Sequence, residues 1–321
     1  MSGYKSLTPK ETAERLLGYK NPIIIMHTRP DGDTAGSASA LIRIFEAMGI
    51  FAEYASAEEI SDRLSFLLKE EKRAESLDER ELIAIDVASP AQLGALSEYA
   101  DKITLTIDHH RVNTPFSDNL TLPDASSAGE ALYAVLKELI NMGKVSLSER
   151  IAYPMYAAIS SDTGGFIFSS ASADTYRLAA ELIETGIDFA DINHRLFHSK
   201  TKEQLSAEGF ISSNITTDAD GRIAYAILSK ETREALGLSS AHFETAIDVV
   251  RSVLFAEIAI FVRETDEGTV KASLRSTGFN VAEIAAEFGG GGHVRAAGCS
   301  IPVRSAEEGA KILVEKIKNK L

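Results

Sequence analysis

The sequence predicts an α/β fold in two domains, the first of them built on a parallel sheet. Three short apolar runs in the first half of the chain each end in a polar turn, and helical patterns alternate with them. This alternation is typical of parallel strands with helices on both faces of the sheet. With 321 residues, 45% of them hydrophobic, the chain can bury the cores of two ordinary domains.

The first predicted elements are a helix, a strand and a second helix. Residues 8–11 have the pattern of a capping box with proline at the first helical position, which predicts a helix to about residue 18. Residues 23–26 are apolar and mostly β-branched, and they predict a buried strand. Apolar residues then recur at helical spacing from 35 to 48, and Gly49 follows as a C-cap.

The strand and turn pattern recurs twice. Residues 82–85 predict a strand that ends at Asp86, with a helix beginning near Pro90. Residues 103–107 predict a third strand, which ends at Asp108. Helical periodicity then dominates from 127 to about 196, apart from a break at residues 161–166 that contains two glycines.

A second, smaller α/β domain is predicted at the C-terminal end. A turn-like segment at residues 216–222 precedes three predicted strands with helices between them, at residues 223–228, 253–262 and 269–274. We therefore expect a first domain at residues 1–192, a helical linker at 193–215 and a second domain at 216–321.

Charge and cysteine content restrict the environment and the partners. The net charge of −14 argues against a long nucleic-acid duplex or an anionic membrane, because affinity there comes mainly from neutralised phosphates. Small anionic substrates are compatible with this charge. Cys299 is the only cysteine, which excludes an internal disulfide and a cysteine-based zinc cluster. We see no secretory signal and no apolar run long enough to cross a bilayer, so a cytoplasmic protein is expected.

Acids and histidines gather where the predicted strands of the first domain end. In an open α/β sheet, the carboxyl ends of the strands form the edge where ligands bind. Several carboxylates in one crevice repel one another, and bound cations are needed to neutralise them. Carboxylate and imidazole ligands without thiolate suit Mn²⁺ or Mg²⁺, and less well Zn²⁺ or Fe²⁺. The candidate residues are His27, Asp31, Asp33, Asp86, Asp108, His109, His110 and Asp162.

Each of these residues also has a simpler interpretation. Asp31 or Asp33 can cap the helix that follows, since Asp-Gly-Asp is an ordinary turn composition. An EF-hand does not fit, because Gly32 lies between the two acids and the glutamate that closes a twelve-residue loop is missing. The adjacent pair His109 and His110 has no evident packing role, and the conjunction of all the strand ends favours a metal site.

A run of four glycines in the second domain predicts a phosphate site. Residues 289–292 lie between a predicted helix and a short final strand, where successive glycine amides can form an anion-binding nest. A flexible linker is the alternative, but it has no need of neighbouring cationic side chains. The segment fits neither a Walker loop nor G-x-G-x-x-G. The candidate residues are Gly290, Gly291, Gly292, His293 and Arg295.

Together these residues resemble the motifs of the DHH phosphoesterase family with its associated DHHA1 domain, over nearly the whole chain. His27-x-x-x-Asp31-x-Asp33 is similar to the first motif, Asp86 to the second, Asp108-His109-His110 to the third and Asp162 to the fourth. The glycine run and Arg275 within Ala272–Ser276 resemble the DHHA1 motifs.

The resemblance implies a site for two divalent ions, Mn²⁺ or alternatively Mg²⁺, in which Asp86 bridges. One ion takes His27, Asp31 and Asp86, and the other takes Asp33, Asp86, His109 and Asp162. His110 then faces the substrate phosphate and acts with Asp86 in catalysis, although His109 and His110 could exchange roles. Arg275 is implied to bind a terminal phosphate.

The implied activity is hydrolysis of short oligoribonucleotides to nucleoside monophosphates, or of pAp to AMP and phosphate, as in the nanoRNase and pAp phosphatase branch of the family. A phosphodiesterase for cyclic di-AMP or its linear product pApA is the enzymatic alternative. A nucleotide-binding module without turnover is the alternative from another class. The expected partners are short oligonucleotides or small nucleotide phosphates, with a homodimer as a further expectation.

Overall fold

A computed structural model of the chain describes residues 3–243 and 245–321. The chain divides into two compact units, Met1–Ser199 and Lys200–Leu321. The division falls within the segment 193–215, and the role of that segment as a linker stays a prediction, as do the predicted domain limits. None of the helices in the described ranges has the length and apolar character that a membrane span requires.

The first unit is an α/β unit. Its elements are α1 (Pro9–Leu16), β1 (Pro22–Ile25), α2 (Gly32–Ala47), β2 (Glu53–Ala55), α3 (Ser65–Leu68), β3 (Glu81–Ile85), β4 (Ile103–Asp108), β5 (Asp118–Thr121), α4 (Ala128–Asn141), α5 (Glu149–Asp162), α6 (Ala173–Ile183) and α7 (Phe189–Asn193). A 3₁₀ segment at Pro90–Lys102 and a π-helical turn at His194–His198 complete it.

The sheet of the first unit is parallel throughout, as the sequence predicts. Its strand order is β2-β1-β3-β4-β5, and every neighbouring pair is parallel. The chain passes from β1 to β2 on one side and then returns from β2 to β3 on the other side of β1, so the direction of winding reverses between β1 and β3. In such doubly wound sheets the crevice at the carboxyl ends of these two central strands is where a ligand binds.

The two faces of this sheet are covered differently. On one face, Ile24, Ile83 and Leu105 join a large core formed with the helices. On the other face, Ile25 and Ala84 pack in a smaller cluster, whose outer members include Leu77, Leu93, Ala100 and Phe116. The prediction of helices on both faces is therefore correct for the first face, whereas the second is covered by the 3₁₀ segment and by the loops that contain Leu77 and Phe116.

The predicted helix near Pro90 is a 3₁₀ segment that is interrupted at Gly94. Gly94 has φ +57°, and a Cβ atom there would lie 2.2 Å from Cγ2 of Thr28. The chain approaches the turn after β1 so closely that a regular α-helix does not form. Helix α1, by contrast, has the predicted capping box: Thr8 Oγ1 accepts from Glu11 N at 3.2 Å, and the Glu11 carboxylate accepts from Thr8 N at 2.8 Å.

The strands β2 and β5 were not predicted. They are the edge strands of the sheet and contain only three and four residues. β5 begins with Asp118 and Asn119, residue types that are depleted in strands. The helices of residues 127–196 and their break after Asp162 agree with the prediction.

The second unit is also α/β, with a mixed sheet. Its elements are α8 (Lys202–Ser213), β6 (Thr216–Asp218), β7 (Ile223–Leu228), α9 (Lys230–Ala235), α10 (Ala246–Arg251), β8 (Ile258–Glu264), β9 (Val270–Ser276), α11 (Val281–Ala286), β10 (Gly291–His293), β11 (Ala296–Ile301) and α12 (Ala306–Lys318), with a 3₁₀ turn at Ser240–Phe243.

The strand order in the second sheet is β10-β11-β9-β8-β7-β6. Only β7 and β8 are parallel, and the other pairs are antiparallel. One face packs against α11 and α12, and the other packs against α8 and α10. The strand predicted at residues 253–262 begins only at Ile258, because the chain turns at residues 252–256 after α10.

Candidate metal centre

The acidic and histidine side chains of the first unit meet at the carboxyl ends of β1, β3 and β4. His27, Asp31 and Asp33 come from the turn between β1 and α2, and Asp86 directly follows β3. Asp86 has φ +59°, a conformation that non-glycine residues adopt rarely and that often marks a functional site. The neighbouring position of β1 and β3 brings these two segments together.

Asp162 reaches the same place because α2 and α5 pack tightly against each other. It is the last residue of α5, whereas Asp31 is the N-cap of α2. A Cβ atom on Gly36 would lie 2.5 Å from the Pro154 carbonyl oxygen, and one on Gly32 would lie 2.4 Å from Oγ of Ser161. The two glycines therefore permit the close approach that places Asp162 beside the strand ends.

His27, Asp31 and Asp86 form a first group whose ligand atoms all lie within 4.8 Å of one another. Nε2 of His27 is 3.9 Å from Oδ1 of Asp31 and 3.5 Å from Oδ2 of Asp86. Nδ1 of the same ring lies 2.7 Å from the Thr28 carbonyl oxygen, to which it donates. This contact leaves the Nε2 lone pair directed toward the carboxylates, the arrangement that a metal-binding histidine needs.

Asp33, His109 and Asp162 form a second group of the same compactness. Nε2 of His109 is 3.7 Å from Oδ2 of Asp33, 3.4 Å from Oδ2 of Asp162 and 3.7 Å from Oδ1 of Asp86. The two groups therefore both adjoin Asp86, one at each of its oxygens. This is the geometry that a bridging carboxylate requires.

His110 belongs to a third group, with Asp86 and His109. Its Nδ1 lies 2.7 Å from Oδ1 of Asp108 and 3.7 Å from Oδ1 of Asp86. The hydrogen bond to Asp108 raises the pKa of His110 to about 9, although burial opposes the shift. His110 is therefore held as a proton-carrying group, whereas His109 directs its Nε2 at three carboxylates.

Burial and the repulsion between neighbouring acids raise the pKa values of these carboxyl groups. Burial, with a smaller contribution from Asp31, raises the pKa of Asp33 to about 6 even though His109 opposes the shift. Burial and then the neighbouring acids Asp33 and Asp31 raise the pKa of Asp86 well above its usual range. The same causes act on the pKa of Asp162, where Asp33 and Asp86 are the nearby acids.

The donor set fits divalent cations. Oδ1 of Asp86 is buried and has no hydrogen-bond partner among the residues that the structure describes, which costs free energy unless a cation or another donor approaches it. Carboxylates and imidazoles are ligands that Mn²⁺ and Mg²⁺ accept. A bound cation offsets the burial and repulsion that raise the pKa values of these acids.

The carboxylate of Asp33 is also held by the N-terminus of α4. Its oxygens accept from the amide of Ala128 at 2.7 Å, from the amide of Gly129 at 3.0 Å and from the hydroxyl of Ser37 at 3.0 Å. Sequence reasoning missed these partners, since they follow Asp33 by four residues or by more than ninety. Ser127, the N-cap of α4, was the available signal of a helix N-terminus that can face an anion.

Thr34 is another site residue that sequence reasoning missed. Its Oγ1 lies 2.5 Å from Oδ2 of Asp86 and 3.2 Å from Oδ1 of Asp31, and it also contacts Nε2 of His27. The hydroxyl thus touches all three members of the first group. Asp31 in addition caps α2, since its Oδ1 accepts from the amides of Asp33 and Thr34, so the capping interpretation and the ligand interpretation hold together.

In the second unit, Arg275 and His293 lie on one face of the sheet. The register aligns His293 on β10 with Ala296 on β11, and Ala296 with Arg275 on β9. Arg275 is half-buried and donates from its guanidinium to the Leu274 carbonyl oxygen at 3.0 Å, whereas His293 and Arg295 are exposed. Burial lowers the pKa of Arg275, an effect that Asp248 opposes and Arg251 supports.

The glycine run is partly used inside the fold. The amides of Gly289 and Gly290 donate to the carbonyl oxygens of Ala286 and Ala285 at 3.0 Å, which ends α11. Gly291 and Gly292 belong to the exposed edge strand β10. The amides of Gly289 and Gly290 are therefore already bonded inside the fold, and a phosphate site at the glycine run stays a prediction.

Two known domains match the two parts of the chain. Residues 21–159 match the DHH family N-terminal domain, and residues 220–320 match the DHHA1 domain. The chain belongs to the DHH family, with a DHHA1 domain after its DHH domain. The DHH match includes every candidate ligand up to His110 and ends three residues before Asp162, and the DHHA1 match includes Arg275 and the glycine run.

Several curated relatives of this DHH-family chain carry the same name. A protein of Thermus thermophilus, named bifunctional oligoribonuclease and PAP phosphatase NrnA, is 29% identical over 315 residues, which cover 96% of this chain and 93% of the relative. A protein of the same name from Bacillus subtilis is 28% identical over 303 residues, 92% of this chain and 94% of that one.

A solved structure has the same fold as this DHH-family chain. The crystal structure of an exopolyphosphatase-related protein from Bacteroides fragilis superimposes with a TM-score of 0.86 at 23% identity, over 99% of each chain. At that identity the similarity concerns the fold, and it says nothing of a shared substrate.

Proposed function

We propose that this protein is a metal-dependent phosphoesterase that hydrolyses short oligoribonucleotides to nucleoside monophosphates and pAp to AMP and phosphate. The observation that carries the proposal is the position of Asp86, whose two oxygens face two separate groups of carboxylates and imidazoles. The names of the curated relatives support the substrate class.

The ligands assigned here are those of the two groups around Asp86. His27, Asp31 and Asp86 would hold one divalent ion, and Asp33, Asp86, His109 and Asp162 would hold the other. We propose Mn²⁺ as the ion, with Mg²⁺ as the alternative. Such a pair of ions lowers the pKa of water and stabilises charge on the attacking and leaving oxygens of a phosphoryl group.

Other groups of the protein orient the ligand side chains and supply a proton. Asp108 holds Nδ1 of His110, so the opposite nitrogen of the ring can donate to a phosphate oxygen or to the leaving group. The helix N-terminus of α4 holds Asp33, and the Thr28 carbonyl oxygen orients His27. These contacts keep the ligands in place before substrate binds, which is what electrostatic preorganisation requires.

The second unit supplies the groups that recognise the substrate. Arg275 binds a non-reacting phosphate, and His293 and Arg295 add donors at the same end of the sheet. Binding by a few cationic groups on an acidic chain favours a substrate of one to a few nucleotides over a long polymer.

Hydrolysis of a substrate panel in Mn²⁺ tests the proposal. The panel contains RNA dimers to pentamers, a 24-mer, pAp, cyclic di-AMP and pApA, with initial rates measured for each substrate. We expect the highest kcat/KM for the dimers and pAp. Preference for cyclic di-AMP or pApA would assign the protein to cyclic-dinucleotide turnover instead, and binding without turnover of any substrate would favour a nucleotide-binding module.

A further inference from the structure

One end of the second sheet brings together three loops that lie far apart in sequence. The amide of Thr277, just after β9, donates to the Glu257 carbonyl oxygen at 3.0 Å. The amide of Ser276 donates to the Arg295 carbonyl oxygen at 3.0 Å. The turn before β8, the end of β9 and the turn between β10 and β11 are therefore neighbours, because adjacent strands lie about 4.8 Å apart.

This end of the sheet is rich in cationic side chains. Arg275 is the last but one residue of β9, opposite Ala259 of β8 and Ala296 of β11. Arg251 of α10 is close enough to Arg275 to act on its charge, as is Asp248 of the same helix. His293 and Arg295 lie in the neighbouring hairpin, on the side of β9 away from β8.

One acid at this end is already neutralised. Glu257 accepts two hydrogen bonds from the guanidinium of Arg222, at 2.7 and 3.1 Å. The pair adds no net charge at this end, so Glu257 does not offset the charge of Arg275 or of the hairpin cations. On a chain with a net charge of −14, this collection favours an anionic ligand.

Phe255 presents its ring to solvent at this same end. The side chain is 83% exposed, and its neighbour Leu254 is 75% exposed. The backbone of Phe255 has φ +69°, a conformation that costs a bulky residue free energy and persists where its surroundings enforce it. Neither the exposure nor the backbone conformation of Phe255 stabilises the fold, so a binding role is the better explanation.

Resting on the proposed phosphoesterase function, we propose that Phe255 is a specificity-determining residue that stacks on a base of the nucleotide whose phosphate binds Arg275. Aromatic rings beside cationic groups are the usual means of binding single-stranded nucleic acid, since every base offers a face for stacking. In this arrangement the cations bind the phosphate and the ring stacks on the base. The site therefore binds a nucleotide without selecting one base sequence.

A second copy of the chain is a less suitable occupant. The large apolar side chains exposed at this end are Leu254, Phe255 and Val294. Three side chains fall well short of the roughly 800 Å² that each partner contributes to a stable interface. One nucleobase, in contrast, is covered by one ring.

The test compares three substrates on the full-length protein in Mn²⁺. One is pApA, and the other two are analogues of pApA in which an abasic ribose replaces either the first or the second nucleoside. We expect Phe255→Ala to raise KM for pApA by about 5- to 150-fold, the effect of losing one base-aromatic stack. For the abasic form that lacks the stacked base, KM should be unchanged, and Phe255→Trp should retain the wild-type KM for pApA.

Two further variants separate binding from folding. Leu236→Ala is the matched control. Leu236 is 41% exposed and comes after the end of β7, at the end of the sheet away from Phe255. This variant should leave KM unchanged. Phe255→Gly should raise KM as Phe255→Ala does while the melting temperature stays equal or rises, since glycine adopts φ +69° without strain.

Three results would overturn the proposal. Phe255→Ala could leave KM for pApA unaffected, or it could raise KM for both abasic forms as much as for pApA. In either case the ring does not stack on a base. A change of oligomeric state in Phe255→Ala, with KM unaltered, would assign the ring to a self-association surface. Failure of the wild-type protein to hydrolyse pApA and every other nucleotide tested would instead refute the proposed function itself.

Discussion

Oδ1 of Asp108 lies 2.7 Å from Nδ1 of His110, so the first and last residues of the Asp-His-His motif form a hydrogen-bonded pair. His109, between them, directs its ring toward Asp33, Asp86 and Asp162 instead. This contrast supports His109 as the metal ligand and His110 as the group that faces the phosphate, an assignment that the motif leaves open.

Asp108→Asn should lower the pKa of His110 in the metal-free protein. The hydrogen bond to Asp108 is the main cause of the raised pKa of about 9, and the neutral amide does not favour the imidazolium. The pair stabilises the fold fully below about 6.5, the ordinary histidine pKa, and that contribution is lost as pH rises through 9. NMR titration of the His110 ring measures the shift; an identical titration in the variant would contradict the pairing.

Asp86→Asn should abolish hydrolysis without unfolding the protein. The loss should exceed the roughly 10- to 100-fold effect of removing an outer-shell partner, because Asp86 adjoins both ligand groups. Since Asp33 and Asp31 repel the charge of Asp86, the metal-free variant should melt at the wild-type temperature or above. Asp124→Asn is the control, because that carboxylate is 95% exposed and pairs with Arg111. Residual activity close to wild type would refute the assigned bridging role.

Thr34→Val should weaken metal binding more than it weakens the fold. Its hydroxyl contacts all three members of the first group, and outer-shell partners typically contribute 10- to 100-fold to metal affinity, so we expect a loss of about that size. Calorimetric titration with Mn²⁺ measures the affinity. Thr217→Val, on the exposed edge strand β6, controls for the loss of a hydroxyl. Equal Mn²⁺ affinity in Thr34→Val and the wild type would mean that the hydroxyl plays no part in the site.

Binding of Mn²⁺ should release protons and should weaken at acid pH. Burial raises the pKa of Asp33 to about 6, so the metal-free folded state retains a proton that the unfolded state has lost. The metal-free protein should therefore lose stability as pH rises from about 4 through 6, where Asp33 ionises. Calorimetry at pH 5.5 and 7.5, in buffers of different ionisation enthalpy, counts the protons. Binding that is equally tight at both pH values, with no proton release, would contradict this linkage.

Gly290→Ala should destabilise the second unit, and Gly291→Ala should not. A Cβ atom on Gly290 would lie 2.2 Å from the Gly298 carbonyl oxygen, whereas one on Gly291 would meet none of the described residues within 4 Å. Overpacking of this kind costs about 1–3 kcal/mol, which thermal unfolding can resolve. If both variants melted alike while both lost activity, the glycine run would serve phosphate binding and not the packing of the hairpin.

Much of the fold and of the candidate site follows from local sequence patterns. The apolar run before Asp86 predicts a strand that is buried on both faces, and the alternation of apolar residues with threonine before Asp108 also predicts a strand. The residues that follow such strands necessarily gather at one edge of a parallel sheet. For this reason the ligand candidates from His27 to His110 could be named without coordinates.

The remaining features depend on contacts between distant residues. The adjacency of β1 and β3 and the packing of α2 on α5, which carries Asp162 to the strand ends, arise only on folding. Ala128 holds Asp33 from 95 residues away, and the separate orientations of His109 and His110 depend on which acids surround them. A local pattern reports which side of an element is buried, whereas the partner of a buried group is decided by the chain that folds against it.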